Sequence, residues 1–369
     1  MDLLTLIRTM QSDGSVQTLA RDPMAQFGPP ARQYMGATLM PERLVLLNAY
    51  REQAIRYRTV IANSGTRYSP AQIKDDNSIV GSMLVELGNQ DIGRQFTGED
   101  YDAFLTLLST RPTMDAVVSM IRWLDVTVLR AILDLNERMR WDCLIAASVV
   151  MSGDNGYTET VTYPNPSGHR FAATSVWSTD ANDPYVDIIS AVQLLADKGY
   201  TVNRIIGSRK VATILARNAK MQARVGGRIS VSTGGSIISE PRPLVSLADL
   251  NGVLNADGLP PIEINDQLYR DYAGSHRFIP DTCLFFAGTT GQDQAVIDLN
   301  FAQNDTFPVV ENVLGYYAVG RAVGQATSGR VIRLEAKDDK PPRINAEGWQ
   351  TGLPVLLEPE SVAVITTIS

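Results

Sequence analysis

Residues 112–151 read "PTMDAVVSMIRWLDVTVLRAILDLNERMRWDCLIAASVVM". Apolar side chains recur at intervals of three and four from Met114 to Val150, which is the pattern of one face of a single α-helix. Pro112 near the start and Gly153 just after the end are residues typical of helix termini. About 40 residues at 1.5 Å each would form a rod of roughly 60 Å. We therefore predict one long helix, 112–151, that a sheet or other helices cover along its whole length.

The composition is that of an ordinary globular protein. The chain has 369 residues, of which 44% are apolar and 20% charged, and this length suits two or three domains. The net charge of −7 argues against a nucleic-acid binder that is held by bulk positive charge. Cys143 and Cys283 lie in apolar patterns, so we expect buried thiols rather than a disulfide or a metal site.

No targeting or membrane segment is predicted. The start, "MDLLTLIRTM", lacks the basic region of a signal peptide. No apolar run reaches the length that a membrane-spanning helix needs. We expect a chain that is synthesised in the cytosol and has no contact with a membrane.

The residue pattern in the first quarter of the chain predicts extended structure. Pro and Gly occur every few positions over much of residues 1–45, which disfavours long helices. We expect a loose arm that a neighbouring subunit holds in place. We predict a long extended loop over residues 46–98. "AIRYRTVI" (54–61) alternates partly as a strand does, and an Asn-Ser-Gly turn signal follows it.

A helix, a strand and a second helix follow the long helix. Asp183 suits the N-cap of the first helix, Pro184 its first turn and Gly199 its end. The pattern then predicts a strand over 201–206 and a basic helix over 209–224.

The Gly207-Ser208 turn between that strand and the basic helix raises the question of phosphate binding. Neither G-x-x-x-x-G-K-[ST] nor G-x-G-x-x-G is present. A helix N-terminus with two cations beside it can hold an anion, so an α/β enzyme that binds a phosphate ligand at 207–210 stays open as an alternative. We expect instead that Ser208 caps the helix and Gly207 forms the turn.

Shorter elements occupy the rest of the chain. "SLAD", residues 246–249, resembles a capping box that opens a helix to about residue 255. Short apolar strands at "PIEIN" and "TCLFFAG" suggest a second α/β domain. Two strands at 354–358 and 361–368 are expected to form a hairpin or to return to an earlier sheet.

No catalytic constellation is found. The chain has only two histidines, His169 and His276, in turn-like polar contexts, and we expect both to be surface or loop residues. G-x-S-x-G and metal-binding spacings of His and Cys are absent. No catalytic residue, cofactor or metal is predicted, and the chain is not expected to be an enzyme.

Arginine and tyrosine alternate in the extended region. This mixture suits single-stranded nucleic acid or a protein interface, and the acidic chain favours the interface. The predicted interface residues, to which the basic helix adds two arginines, are Arg51, Arg56, Tyr57, Arg58, Arg67, Tyr68, Arg217 and Arg224.

The order of these parts resembles the major capsid protein of tailed double-stranded-DNA bacteriophages, the Johnson-type capsid fold in its lambda-like branch. The segment "VWSTDANDPYVDIISAVQLLADKGYTVNRIIGSRKVATILARNAKMQARVGG" is similar to the core of that family's peripheral domain. "FIPDTCLFFAG" resembles its axial-domain strand, and "LPVLLEPESVAVIT" its C-terminal strand pair. The resemblance spans essentially the whole chain and rests on order and polarity.

The resemblance implies an α+β tailed-phage major capsid fold and a division of the chain. The implied parts are an N-terminal arm (1–45), an extended loop (46–98), a peripheral domain with the spine helix (99–227), an axial domain (228–335) and C-terminal strands that return to the peripheral domain (336–369).

The resemblance also implies a function. The chain would self-assemble through hexamers and pentamers into an icosahedral head that encloses double-stranded DNA without sequence-specific binding. Its partners would be itself, the portal, and scaffolding or decoration proteins, and its place would be the virion after synthesis in the host bacterial cytoplasm. A nanocompartment shell of the encapsulin type, which has the same fold, is an alternative.

Overall fold

The computed structural model describes most of the chain. The described residues are 3–12, 34–45, 49–51, 54–58, 79–81, 84–96, 98–110, 113–153, 158–179, 182–228, 245–271, 273–290, 294–298, 314–337 and 343–366.

The described helices and strands are numbered in chain order. The helices are α1 (Leu3–Ser12), α2 (Met35–Leu39), α3 (Gly98–Thr110), α4 (Thr113–Leu124), α5 (Arg130–Ala146), α6 (Pro184–Asp197), α7 (Arg209–Arg217), α8 (Ala219–Arg228) and α9 (Leu247–Ala256). The strands are β1 (Glu42–Leu44), β2 (Ala49–Arg51), β3 (Ala54–Arg58), β4 (Ile79–Gly81), β5 (Leu84–Glu86), β6 (Gly88–Gln95), β7 (Ser148–Ser152), β8 (Thr158–Thr162), β9 (Arg170–Ala172), β10 (Tyr200–Gly207), β11 (Ile262–Ile264), β12 (Leu268–Arg270), β13 (Ser275–Arg277), β14 (Leu284–Thr290), β15 (Gln294–Asp298), β16 (Gly315–Val319), β17 (Val331–Lys337), β18 (Arg343–Leu356) and β19 (Val362–Thr366).

The predicted long helix is present but ends earlier than the pattern indicates. Helices α4 and α5 are joined without a break by one π-helical turn at Asp125–Leu129. The helix ends at Ala146 because Ala147 is left-handed, with φ of 51°, and β7 follows at once. The predicted end at residue 151 is therefore wrong. Val150 fits the helical spacing but is an exposed residue of β7, since a short strand can match a helical pattern by chance.

The first sheet lies against the long helix. Its longest strand, β18, pairs with β17 through residues 343–349, with β16 through residues 352–356 and with β6 through residues 345–352. Strand β1 pairs with β16. Residues of β17 and β18 share one apolar cluster with α4 and with α1, whose Leu6 and Ile7 are buried. The start of the predicted loose arm is thus an amphipathic helix that packs on its own chain.

Gly348 sets how closely β18 approaches the long helix. A Cβ atom at this position would lie 2.4 Å from Val128 Cγ1 and 3.0 Å from Ile132 Cδ1. Real Cβ atoms do not approach carbon so closely, so a glycine is required where β18 crosses the π-helical turn.

The second sheet has the order β11-β10-β14-β19-β9 and separates two apolar cores. Alternate residues of a strand point to opposite faces. Ile206 and Phe285 join the core that contains the C-terminal part of α5. Ile205 and Phe286 join the core formed by α6, α7, α8 and α9. The long helix and the helical layer therefore lie on opposite faces of this sheet.

Most predicted local signals after the long helix are confirmed. Asp183 accepts the Tyr185 N–H at the start of α6, and Ser208 caps α7. Ser246 and Asp249 form the capping box of α9, which ends at Ala256.

The predicted helix 209–224 is two helices. Asn218 is extended between them, with ψ of 125°. Its side-chain Oδ1 accepts the N–H groups of Lys220 and Met221, and its Nδ2 donates to the carbonyl oxygens of Trp177, Thr179 and Asn182. These bonds favour a break that the apolar spacing alone does not reveal.

The two C-terminal strands return to earlier sheets, because β18 and β19 belong to the first and the second sheet respectively. The predicted domain bounds stay a prediction, and the sheets put a condition on them. Strands β10 and β14 lie on opposite sides of the predicted bound after residue 227 but are neighbours in one sheet. Any structural unit that contains one must contain the other.

Candidate functional site

Three small strand pairings carry part of the predicted interface. β3 lies between β15 and β4, and β2 pairs with β5. Arg56, Tyr57 and Arg58 of β3 are opposite Val296, Ala295 and Gln294 of β15, and Arg51 lies in β2. Arg67 and Tyr68 lie outside the described residues. The role of these six residues in an interface stays a prediction.

The two predicted arginines of the basic helices lie in different settings. Arg217 is exposed in the last turn of α7, where a cation is favourable to the helix dipole. Arg224 of α8 forms an ion pair with Asp183 at 2.6 Å and lies over the ring of Tyr185 at 4.3 Å. Part of the Arg224 side chain, 40%, remains exposed.

The turn at 207–210 already holds an anionic group of its own chain. The N–H of Arg209 donates to Asp266 Oδ1 at 2.9 Å, and Arg209 Nε donates to Oδ2 at 2.8 Å. Burial acts to raise the pKa of Asp266, but hydrogen bonds from Arg209 and the charges of Arg277 and Arg209 hold it below its ordinary value. A phosphate placed at this helix terminus would meet an ionised carboxylate. The geometry therefore argues against the phosphate-binding alternative.

A buried polar cluster fixes residues 34–44 onto the long helix. Glu137 of α5 is fully buried. Its Oε1 accepts the Gly36 N–H at 2.6 Å and the Trp141 Nε1–H at 2.8 Å, and its Oε2 lies 3.4 Å from Arg140 Nη1. Burial raises the pKa of Glu137 even though Arg140 and the hydrogen bonds act in the opposite direction.

Arg140 connects the cluster on the helix to the segment that contains β1. Its Nε donates to the Met40 carbonyl oxygen at 2.9 Å, its Nη2 lies 3.5 Å from Glu42 Oε1, and its guanidinium lies over the Tyr317 ring. Glu42 also binds Arg330. Burial acts to raise the pKa of Glu42, but Arg330 and Arg140 hold it below its ordinary value.

Side-chain amides extend the cluster through the first sheet. Gln350 of β18 donates to Gln90 of β6 and to Asn136 of α5. Gln90 Nε2 donates to the Tyr317 hydroxyl of β16 at 2.5 Å. These side chains form hydrogen bonds with one another in the interior, as buried polar groups usually do. The cluster joins residues 34–44, the long helix and the first sheet. No motif in the sequence predicts this cluster, although four charged residues within "DLNERMRW" (134–141) are a signal that the helix buries charge.

The described residues contain no reactive constellation. No group of three or more His, Cys, Asp or Glu among them suits a metal ion. Both cysteines are free and buried, as expected, and burial raises the pKa of the Cys283 thiol to about 12. No helix in this part of the chain is long and apolar enough to cross a membrane.

Both histidines fit the expectation of surface or loop residues. His276 is exposed on β13, with Nε2 3.1 Å from Asp271. His169 lies in a turn but is buried, and its Nδ1 is 2.9 Å from the Val362 carbonyl oxygen. His169 is buried because it lies beside the start of the C-terminal strand β19, whereas Ser167 and Gly168 of the same turn are exposed.

Solved structures share this architecture. A phage-related protein from Bordetella bronchiseptica RB50 aligns with a TM-score of 0.53 at 12% identity, over 92% of this chain and 94% of that chain. A prophage protein of E. coli CFT073 that is described as a capsid protein aligns with a TM-score of 0.53 at 14% identity, over 91% and 93%. The chain matches no protein-family model and no curated protein.

The predicted fold is thereby confirmed. The chain is an α+β protein with the phage capsid fold. At these identities the likeness concerns the fold alone. The holo-SrpI encapsulin complex of Synechococcus elongatus PCC 7942 aligns over 94% of both chains, but its TM-score of 0.40 is too low to support the nanocompartment alternative.

Proposed function

We propose that this chain is the major capsid protein of a tailed bacteriophage. It assembles through hexamers and pentamers into the icosahedral head shell that encloses the double-stranded DNA genome. The observation that carries the proposal is the likeness to the prophage capsid protein of E. coli CFT073, because it extends over nine-tenths of both chains.

The isolated subunit has surface that suits association. Leu44 is 67% exposed on the edge strand β1, and Val323 is 71% exposed in the loop before β17. Large exposed apolar side chains and open strand edges favour contacts with other chains. Obligate interfaces of this kind bury several thousand Å² in total, so subunit stability depends on assembly.

The finer parts of the proposal concern partners and location. The arm (1–45) and the extended loop (46–98) contact neighbouring subunits, and the Arg and Tyr residues from Arg51 to Tyr68 contribute to those contacts. The portal and scaffolding or decoration proteins are further partners. The DNA is enclosed without sequence-specific binding, the protein has no catalytic role, and its place is the virion after synthesis in the host bacterial cytoplasm.

Electron microscopy tests the proposal directly. The purified full-length protein, concentrated in stepwise increments and imaged by negative stain, should form rings or closed shells. A chain that stays monomeric or dimeric at the highest concentration would refute the capsid function. Particles from the expression host that protect DNA from nuclease support the phage head, whereas particles that hold one bound protein cargo support the nanocompartment alternative.

A further inference from the structure

Two helical surfaces of this chain carry charge of only one sign. Residues 209–228, which form α7 and α8, contain six cationic residues and no acid. Residues 98–110, which form α3, contain three acids and no cation. Such segregation is notable in a chain whose overall composition mixes the two signs.

The basic surface is only partly neutralised within the chain. Arg209 and Arg224 pair with Asp266 and Asp183. Lys210, Arg217 and Lys220 are exposed, and no ion pair joins them to another described residue. Lys210 and Arg217 are seven positions apart, which places them on one side of α7.

The acidic surface belongs to a helix that its own chain leaves partly uncovered. Although α3 packs against α4 and α1, none of its residues is buried, and Leu105 is 38% exposed. Glu99 and Asp102 are exposed and share one side of the helix with Leu105. A helix of this composition gains by burial against a second surface that supplies cations.

The two surfaces cannot meet in one subunit. Helix α3 packs on α4, and Phe96, two residues before α3, stacks on Trp123 at 4.2 Å, so the acidic start of α3 lies beside the last turn of α4. Helices α7 and α8 lie beyond the second sheet, whose near face receives Trp141 close to the C-terminal end of the long helix. From Trp123 to Trp141 the long helix rises about 27 Å, and the second sheet lies between that end of the helix and α7–α8.

From this arrangement we infer that the basic face of α7–α8 (Lys210, Arg217 and Lys220) docks on the acidic face of α3 (Glu99 and Asp102) of a second copy. Two different surfaces of the same chain make a head-to-tail contact, which closes into rings when the rotation between copies closes. The inference rests on the proposed self-assembly and adds which surfaces meet. Opposite charge would guide the encounter and fix the register of the contact.

Charge reversal with rescue tests the inference. In the full-length protein, Arg217→Glu with Lys220→Glu should raise the concentration at which particles form by about tenfold or more, because like charges then face each other. Glu99→Lys with Asp102→Lys should do the same. All four changes in one chain should restore assembly to within about threefold of the unaltered protein, since the two faces are again complementary.

A matched control distinguishes the effect of complementary charge on the two faces from the effect of net charge alone. Arg217→Glu and Lys220→Glu are combined with Asp91→Lys and Asp197→Lys, two exposed acids on β6 and α6. This chain has the same net charge as the rescued chain but should remain defective. Circular dichroism and urea unfolding of the dissociated subunits should match in all variants.

Each other outcome has a definite meaning. Assembly of the Arg217→Glu/Lys220→Glu variant at the unaltered concentration, or equal rescue by the control, overturns the inference. Normal shells that lose only their DNA would show that the basic face binds nucleic acid instead. If the unaltered protein forms no particles at all, the proposed capsid function fails and not merely the pairing of these faces.

Discussion

Arg170 on β9 donates from Nε to the carbonyl oxygen of Ile145 at 2.8 Å, and from Nη2 to that of Leu144 at 2.9 Å. These carbonyls belong to the last turn of the long helix, where no N–H of the helix itself is available. A guanidinium therefore caps this helix and ties it to the edge of the second sheet. The contact stabilises the helix end that the left-handed Ala147 forms.

Replacing Arg170 by Ala should lower the free energy of unfolding by about 1.5–3 kcal/mol, the range for hydrogen bonds that involve a charged group. Urea denaturation followed by circular dichroism measures this. Arg343→Ala, an exposed position at the start of β18, serves as the control and should change stability by less than about 0.5 kcal/mol. Equal effects of the two changes would contradict the capping role.

The buried carboxyl of Glu137 predicts a dependence on pH. Its pKa is raised in the folded state, so the folded protein binds this proton more tightly than the unfolded chain. Stability that Glu137 contributes is therefore complete below its ordinary pKa of 4.5 and declines as the pH rises through the higher folded value. Glu137→Gln retains the oxygen that accepts from Gly36 and Trp141 and cannot ionise.

The Gln variant should consequently gain stability relative to the unaltered protein as the pH is raised from 4 to 8. Urea unfolding at a series of pH values gives the difference in free energy at each. A difference that is constant with pH, or that moves in favour of the unaltered protein at high pH, would show that Arg140 and the hydrogen bonds compensate the buried charge fully.

The order of the elements was predictable, and the contacts between distant residues were not. Local signals such as Asp183, Ser208 and the 246–249 capping box act within a few residues, and the structure confirms them. The failures share one cause. Arg170 caps the end of the long helix, and Asn218 breaks the basic helix through hydrogen bonds to Trp177, Thr179 and Asn182. In both cases groups far apart in the sequence outweigh the local pattern.

The candidate site was harder to predict than the fold. The cluster around Glu137 joins residues 36–42, 90, 136–141, 317, 330 and 350, and no spacing rule connects positions so far apart. The charge segregation of α3 and α7–α8 is visible in the sequence. Its meaning appears only when the fold places the two surfaces apart, one beside Trp123 and the other beyond the second sheet.

Gly348→Ala should destabilise the protein by about 1–3 kcal/mol, because the added Cβ would overlap Val128 at the π-helical turn. Gly93→Ala is the matched control. Gly93 lies on β6 next to β18, and a Cβ there would meet nothing within 4 Å. The thermal unfolding midpoint should fall for the first variant and stay within a few degrees for the second. If both variants melt like the unaltered protein, the close approach of β18 to the helix does not contribute to stability.

Removal of residues 59–78 should separate folding from assembly. These residues connect β3 and β4, which are antiparallel neighbours with Arg56 opposite Ile79, so a linker of Gly and Ser residues can join the two strands without changing their register. Both sheets and the buried cluster around Glu137 lie outside the deleted segment. We therefore expect a subunit with unchanged circular dichroism and a similar urea midpoint. If the extended loop contacts neighbouring subunits as proposed, this subunit will form no shells at concentrations where the unaltered protein does.

A second variant, in which a Gly-Ser linker of equal length replaces residues 59–78, should also fail to form shells. The length of the connection is then retained, but the side chains that make the contacts are lost. Normal particles from either variant would show that this part of the loop takes no part in assembly.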